Sequence, residues 1–123
     1  GETNINQVNN DLPFIITASI FTGTDTITIE NKGNTTAKPT MTIYGKGTIG
    51  VYLNGNQVFT INLGDEEYIT IDTQNMEASK DTILKNRLVV GDYNSFVLQT
   101  GNNTLKFTGL VDKVEINNYS RWV

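Results

Sequence analysis

The chain has 123 residues, enough for one domain with a single core, and is 37% hydrophobic and only 18% charged, with uncharged Asn, Thr and Gly filling the gap. A net charge of −4 and a pI near 4.6 argue against nucleic acid and anionic membrane surfaces as partners, and no apolar run approaches a membrane span. With no Cys and no His, disulfides, thiolate metal sites, the usual general base and the commonest metal ligand are all missing.

Residues 1–12 are polar, Asn-rich and aperiodic, and read as a linker or N-terminal arm. Residues 13–123 are expected to form one domain, the C-terminal part of a longer protein, since the chain opens on Gly1-Glu2 without an initiator Met. From Pro13 to Phe21 an apolar, β-branched run reads as a strand partly buried on both faces. After a Gly23-Thr24-Asp25 turn, TITIEN alternates with Ile27 and Ile29 on one side. Asn31 to Asn34, with Gly33, turns the chain, and Pro39 opens the next strand from a position where its missing N–H does no harm.

In PTMTIYG, Met41 and Ile43 face the core and Thr40, Thr42 and Tyr44 face outward. Gly45-Lys46-Gly47 reads as a turn into the next strand, where Ile49, Val51 and Leu53 point inward. Asn54-Gly55 between alternating segments is a strong hairpin signal, because both central residues of a type I′ turn need positive φ. The return strand carries Phe59, Ile61 and Leu63 in one phase and Val58 in the other. A turn at Gly64–Glu67 leads into YITID, with Ile69 and Ile71 inward.

Residues 72–95 are less legible: MEASKDTILKN suits a short helical turn, and Thr82-Ile83-Leu84 suits a strand equally well. Leu88 to Val90 form a short apolar run closed by Gly91-Asp92, and FVLQT reads as a strand ending at a Gly101-Asn102-Asn103 turn. TLKFTG and VDKVEIN follow as two further strands, with Leu105, Phe107, Val111, Val114 and Ile116 inward. Nine or so short strands with turn chemistry between them predict an all-β fold, an antiparallel β-sandwich of jelly-roll type.

The Gly-Lys-Gly element does not make a phosphate loop. Thr40 stands where the first Gly of such a loop belongs, Gly47 replaces the hydroxyl residue, and no helix follows. Glycosidase chemistry needs only two carboxylates, and Glu30, Asp65, Glu66, Glu67, Asp72 and Asp92 are available, but they read as solvated turn residues. Asp65, Glu66 and Asp92 could supply oxygen ligands to a calcium ion, without any EF-hand spacing to support it. No catalytic residue and no cofactor is therefore expected.

Contact chemistry is better represented. Tyr44, Tyr52 and Tyr68 share the outward phase, where rings can stack on a pyranose or stabilise a solvated sheet across strands. Trp122 in the terminal YSRWV either caps the core or anchors a contact with another chain.

The features come in a distinctive order. Asn31, Gly33, Asn34, Pro39, Gly45 and Gly47 come first; then Asn54-Gly55, YITID at 68–72, Leu98 before Gly101-x-Asn103, and Tyr119-Ser120-Arg121-Trp122. In this order, over roughly residues 25–123, the chain resembles the C-terminal domain of the distal tail protein of long-tailed phages infecting Gram-positive bacteria. The resemblance implies a galectin-like sandwich on the outside of a hexameric hub whose N-terminal domain continues the tail tube. It also implies partners among the tail proteins (tail tube, tail-associated lysin and receptor-binding protein) and a location at the virion tail tip, after synthesis in the host cytoplasm. The full-length protein would then be a homohexamer and the domain alone a monomer. The matched Gly, Asn and Pro positions carry over as turn-formers. A cell-wall saccharide is the alternative ligand, read from the tyrosines.

Overall fold

The computed structural model describes the backbone of residues 13–17 and the chain from residue 26 to residue 117. Within these bounds nine strands form one hydrogen-bonded network: β1 (Pro13–Thr17), β2 (Thr26–Asn31), β3 (Thr40–Leu53), β4 (Asn56–Gly64), β5 (Tyr68–Asp72), β6 (Glu77–Lys80), β7 (Ile83–Leu84), β8 (Val89–Gly91) and β9 (Gly101–Asn117). Two single-turn 3-10 segments, Asn86–Leu88 and Tyr93–Ser95, are the only helical pieces among the described residues.

The two long strands organise everything else. The first part of β3, Thr40–Tyr44, lies between β5 and the Lys113–Asn117 end of β9, with β1 beyond β9. The second part, Thr48–Leu53, lies between β4 and the Leu105–Thr108 stretch of β9, with β2 beyond. Two half-sheets, β1-β9-β3-β5-β6-β7 and β2-β9-β3-β4-β8, therefore share their central strands. Where one passes into the other the register shifts, between Tyr44 and Gly45 and again between Lys46 and Gly50. Such bulges bend a strand pair and let it switch sheets.

One apolar cluster draws Met41, Ile69 and Val114 from the first half-sheet and Ile49, Phe59 and Phe107 from the second. The two therefore close over a shared core, and the fold is the antiparallel β-sandwich that the alternation predicts. Strand phases agree residue by residue: Met41, Ile43, Ile49, Val51, Ile69, Ile71, Leu105, Phe107, Val111, Val114 and Ile116 are all fully buried. In β4, Val58 and Phe59 are both buried because the register shifts there, leaving Val58 as the extra residue of a bulge.

The local turns divide into those that behave as expected and those that do not. Asn54 and Gly55 adopt φ of 51° and 89° and join β3 to β4 as a two-residue hairpin. Asn31 is buried and holds its turn, its Oδ1 accepting from the Gly33 N–H at 3.0 Å and its Nδ2 donating to the Thr35 carbonyl at 2.9 Å; Asn34 lies in the same bend. Pro39 immediately precedes β3, and its carbonyl accepts from the backbone N–H and hydroxyl of Thr73.

Gly45-Lys46-Gly47 is not a turn: β3 runs through it, with a bulge in place of a reversal. Gly101 and Asn103 likewise do not sit in a turn, since both belong to β9; the buried Asn103 side chain instead holds the preceding loop. TLKFTG and VDKVEIN are one strand bent at its middle, not two. Phe96–Thr100 is not a ladder strand; only Leu98 bridges, to Ala37, while Phe96 and Leu98 plug the core. Between residues 77 and 84 the chain forms the β6–β7 hairpin, with no helical turn. Residues 1–12, the Ala18–Phe21 end of the first predicted strand, the Gly23–Asp25 turn and the terminal YSRWV with Trp122 lie outside the described residues.

Candidate functional site

The outward face of the first half-sheet carries in-register rows of polar side chains. Tyr44 on β3 stands opposite Tyr68 on β5 and Lys113 on β9, and the row before it sets Thr42 opposite Thr70 and Glu115. The two tyrosine rings lie 5.3 Å apart between centroids, tilted by 36°. Lys113 Nζ sits 4.3 Å from the Tyr44 ring centre and Lys80 Nζ 5.0 Å from that of Tyr68. A cation–ring–ring–cation row therefore crosses β9, β3, β5 and β6.

The hydroxyls are fixed as well. Tyr44 Oη donates to Glu115 Oε1 at 2.9 Å, and Tyr68 Oη donates to Asp81 Oδ1. These bonds favour the neutral phenol. The Glu115 bond, with burial and the negative charge of Glu115 adding to it, raises the Tyr44 pKa above its ordinary value. The Asp81 bond, again with desolvation and charge behind it, pushes Tyr68 up to about 12. One row further in, the Thr42 and Thr70 hydroxyls share a 3.0 Å hydrogen bond.

Tyr52 belongs to the other half-sheet. It stands opposite Lys106 of β9 and Gln57 of β4, with Lys106 Nζ 4.8 Å from its ring centre. The three outward tyrosines thus form one pair and one separate residue, each ring with a lysine over it.

Beside Tyr44 opens a cleft of about 450 Å³ lined by Tyr44, Gly45, Lys46, Asp65, Glu67, Asp112 and Lys113. The bulge explains it. Tyr44 pairs with Lys113 and Gly45 with Val111, so Asp112 is the unpaired residue of β9 and turns out to solvent. The opposite wall is the β4–β5 connection, where Glu67 takes a φ of 79° and its carbonyl accepts from the Gly45 N–H at 3.0 Å.

Of the carboxylates considered from sequence, Asp65 and Glu67 meet in this cleft. Glu66 turns instead to Lys80 and Lys85, at 3.8 and 3.5 Å. Asp72 caps the Gln74 and Asn75 amides, and Asp92 caps that of Asn94. Among the described residues no group of three His, Cys, Asp or Glu side chains is placed to hold a metal ion.

Comparison with known proteins finds no match: no protein-family model, no curated protein and no solved structure is significantly similar to this chain. Its chemistry is therefore read from the site alone.

Asp65, Glu67 and Asp112 are exposed and remain solvated. A glycosidase acid, by contrast, is sheltered so that it keeps its proton. The cleft combines these carboxylates with the ammonium groups of Lys46 and Lys113 beside the Tyr44–Tyr68 pair.

Period-2 alternation does not bring out Lys46, Asp112 and Lys113, although the sequence carries a signal for them. Val111 and Val114 are both apolar yet three apart, and two inward residues at that spacing require a bulge between them. A second groove of about 410 Å³, at the Asn54-Gly55 end, is lined by uncharged residues including Asn54, Asn56, Gln57 and Gln99.

Proposed function

We propose that this chain is a non-catalytic interaction module of a phage tail tip: the galectin-like outer domain of a distal tail hub protein, helping to attach baseplate or receptor-binding proteins. The setting comes from the ordered turn and strand motifs. The observation that carries the interaction role is the outward face of β9, β3 and β5, whose tyrosines are already packed between lysines and tied to carboxylates. Side chains held this way lose little further freedom when a partner settles on them. In phage particles lacking this domain, baseplate proteins are expected to be lost and adsorption to fall. Particles that assemble and adsorb normally without it would remove the reading.

The cleft beside Tyr44 favours a second reading, a carbohydrate-binding module recognising a cell-surface saccharide. Sugar hydroxyls would bridge Asp65, Glu67 and Asp112 while a pyranose lies along the Tyr44 edge. Titration with cell-wall polysaccharide should shift the NMR signals of Gly45, Lys46 and Asp112, and Tyr44→Ala should abolish the shifts while Tyr52→Ala leaves them. No shift at millimolar sugar ends this reading.

A further inference from the structure

Asn54-Gly55 is the only Asn-Gly sequence in the chain. Such a pair is chemically labile as well as a turn former. The glycine nitrogen, with no side chain beside it, loses its proton to hydroxide and attacks the amide carbon of the asparagine. A five-membered succinimide closes, and the amide nitrogen leaves as ammonia, taking a proton back from water. Water then opens the ring at either carbonyl, leaving aspartate or, with the chain rerouted through the side chain, isoaspartate. Asn54 is exposed to solvent, so water and hydroxide reach it.

Two features of the fold oppose the first step. The φ values of 51° and 89° are those of a type I′ turn, in which ψ of the first central residue is about +30°. There the Asn54 Cβ stands almost opposite the Gly55 nitrogen across the Cα–C bond, whereas the ring requires the two to be eclipsed. The side chain is also held from β9. Its Nδ2 donates to Asn103 Oδ1 at 3.1 Å, and its Oδ1 accepts from the Thr104 N–H at 2.9 Å and the Thr104 hydroxyl at 3.5 Å. The Asn54 N–H donates to the Thr104 carbonyl at 2.8 Å. Closing the ring therefore means unwinding the turn and releasing Asn103 and Thr104 together.

We infer that Asn54 is a deamidation site that the fold holds back, and that the reaction runs from a local opening of the hairpin end and then prevents its full closure. The product replaces the Nδ2 donor by a carboxylate oxygen facing Asn103 Oδ1, acceptor against acceptor. Asn103 cannot turn its amide round to answer, because its own Nδ2 is spent on the carbonyls of Gln99 and Gly101 at 2.9 and 3.2 Å. Isoaspartate adds a carbon to the backbone and abolishes the two-residue turn outright. Either product loosens the loop before β9 and puts a negative charge on the uncharged groove lined by Asn54, Asn56, Gln57 and Gln99. A brief opening thereby becomes a permanent change.

Peptide mapping by mass spectrometry follows loss of the Asn54 amide at neutral pH, in the folded chain and in the same chain unfolded in urea. The folded chain is expected to react at least about tenfold more slowly. Asn103→Ala, shown by its NMR spectrum to be folded, should react at least about threefold faster than the folded wild type, and in urea the two should react alike. Asn54→Asp, which stands for the product, should speed hydrogen exchange at the Gln99 N–H that Asn103 Oδ1 accepts. Equal rates with and without urea overturn the proposal, as does a folded Asn103→Ala that reacts no faster than wild type. Unchanged Gln99 exchange in Asn54→Asp overturns it too. The wild-type rates and the Asn54→Asp exchange decide the outcome by themselves where Asn103→Ala fails to fold.

Discussion

A Cβ atom on Gly45 would stand 2.2 Å from the carbonyl oxygen of Leu110, so β3 and β9 approach too closely here for any side chain. This contact, and not a chain reversal, is why a glycine occupies the position. Gly47, two residues on, has open space around its would-be Cβ but a φ of 75°. The two glycines therefore fail differently when substituted. Gly45→Ala must push the strands apart at the bulge and is expected to cost about 2–3 kcal/mol, whereas Gly47→Ala carries only the left-handed backbone term of about 1 kcal/mol. Urea denaturation of the two variants checks the order. Because the cleft is built on the same bulge, Gly45→Ala should also move the NMR signals of Asp112 and Lys113, and Gly47→Ala should move them less.

The Tyr44–Tyr68 pair predicts non-additivity. Each ring contacts the other and one lysine, so removing either leaves its neighbour with one face uncovered. In a double-mutant cycle, Tyr44→Ala and Tyr68→Ala together should destabilise by less than the sum of the single changes. Tyr52→Ala, on the other half-sheet, should add independently to either. Additive behaviour of the 44/68 pair would mean that the rings do not support one another.

The raised tyrosine pKa values set a direction for the alkaline limb of stability. Tyr68 ionises near 12 in the folded chain because its hydroxyl donates to Asp81, whereas an unfolded tyrosine ionises near 10. A proton held more tightly in the folded state stabilises it fully below pH 10, and that contribution is lost between about pH 10 and 12. Ultraviolet titration of the phenols should therefore show Tyr68 ionising last among the described tyrosines, with Tyr44 and Tyr93 also raised. In Asp81→Asn, Tyr68 should titrate earlier, since the carboxylate that accepts the bond and repels the phenolate is gone. An unchanged late phase in that variant would assign it to another tyrosine.

How far the sequence reaches is clear from single residues. Period-2 alternation in TITIEN, TMTI and YITID reports burial directly, and Asn54-Gly55 reports its own geometry, so the sandwich and the phase of the core strands are legible. Alternation fails wherever two strands bend together. Gly45-Lys46-Gly47 has the composition of a turn but is paired on both sides of a bulge, a fact that depends on Leu110 sixty-five positions away. β6 and β7 have four and two residues and turn through Asp81-Thr82, a pair without the usual hairpin composition. Phe96 and Leu98 alternate like a strand yet are buried as a plug, with Phe96 stacked 5.8 Å from Phe59. The cleft is legible only in part. Tyr44 announces itself by its phase, but Asp65, Glu67 and Asp112 come together only where the β4–β5 connection meets the β9 bulge.

Asn103 gives the sharpest test of the loop that precedes β9. Its side chain is fully buried and every polar position on it is used. Oδ1 accepts from the Gln99 N–H at 2.9 Å and from Asn54 Nδ2 at 3.1 Å. Nδ2 donates to the carbonyls of Gln99 and Gly101 at 2.9 and 3.2 Å and lies 3.4 Å from that of Ile29. One amide thus satisfies the backbone of a loop that has no ladder of its own, and ties it to the Asn54-Gly55 hairpin and to β2. Asn103→Ala leaves those backbone groups without a partner and is expected to cost about 2–3 kcal/mol. Asn103→Asp keeps the size but turns the donor into a charged acceptor facing carbonyls, so at neutral pH it should destabilise more than Asn103→Ala does. If Asn103→Asp proved the milder change in thermal unfolding, the amide could not be donating to the Gln99 and Gly101 carbonyls, and the account of this loop would fail with it.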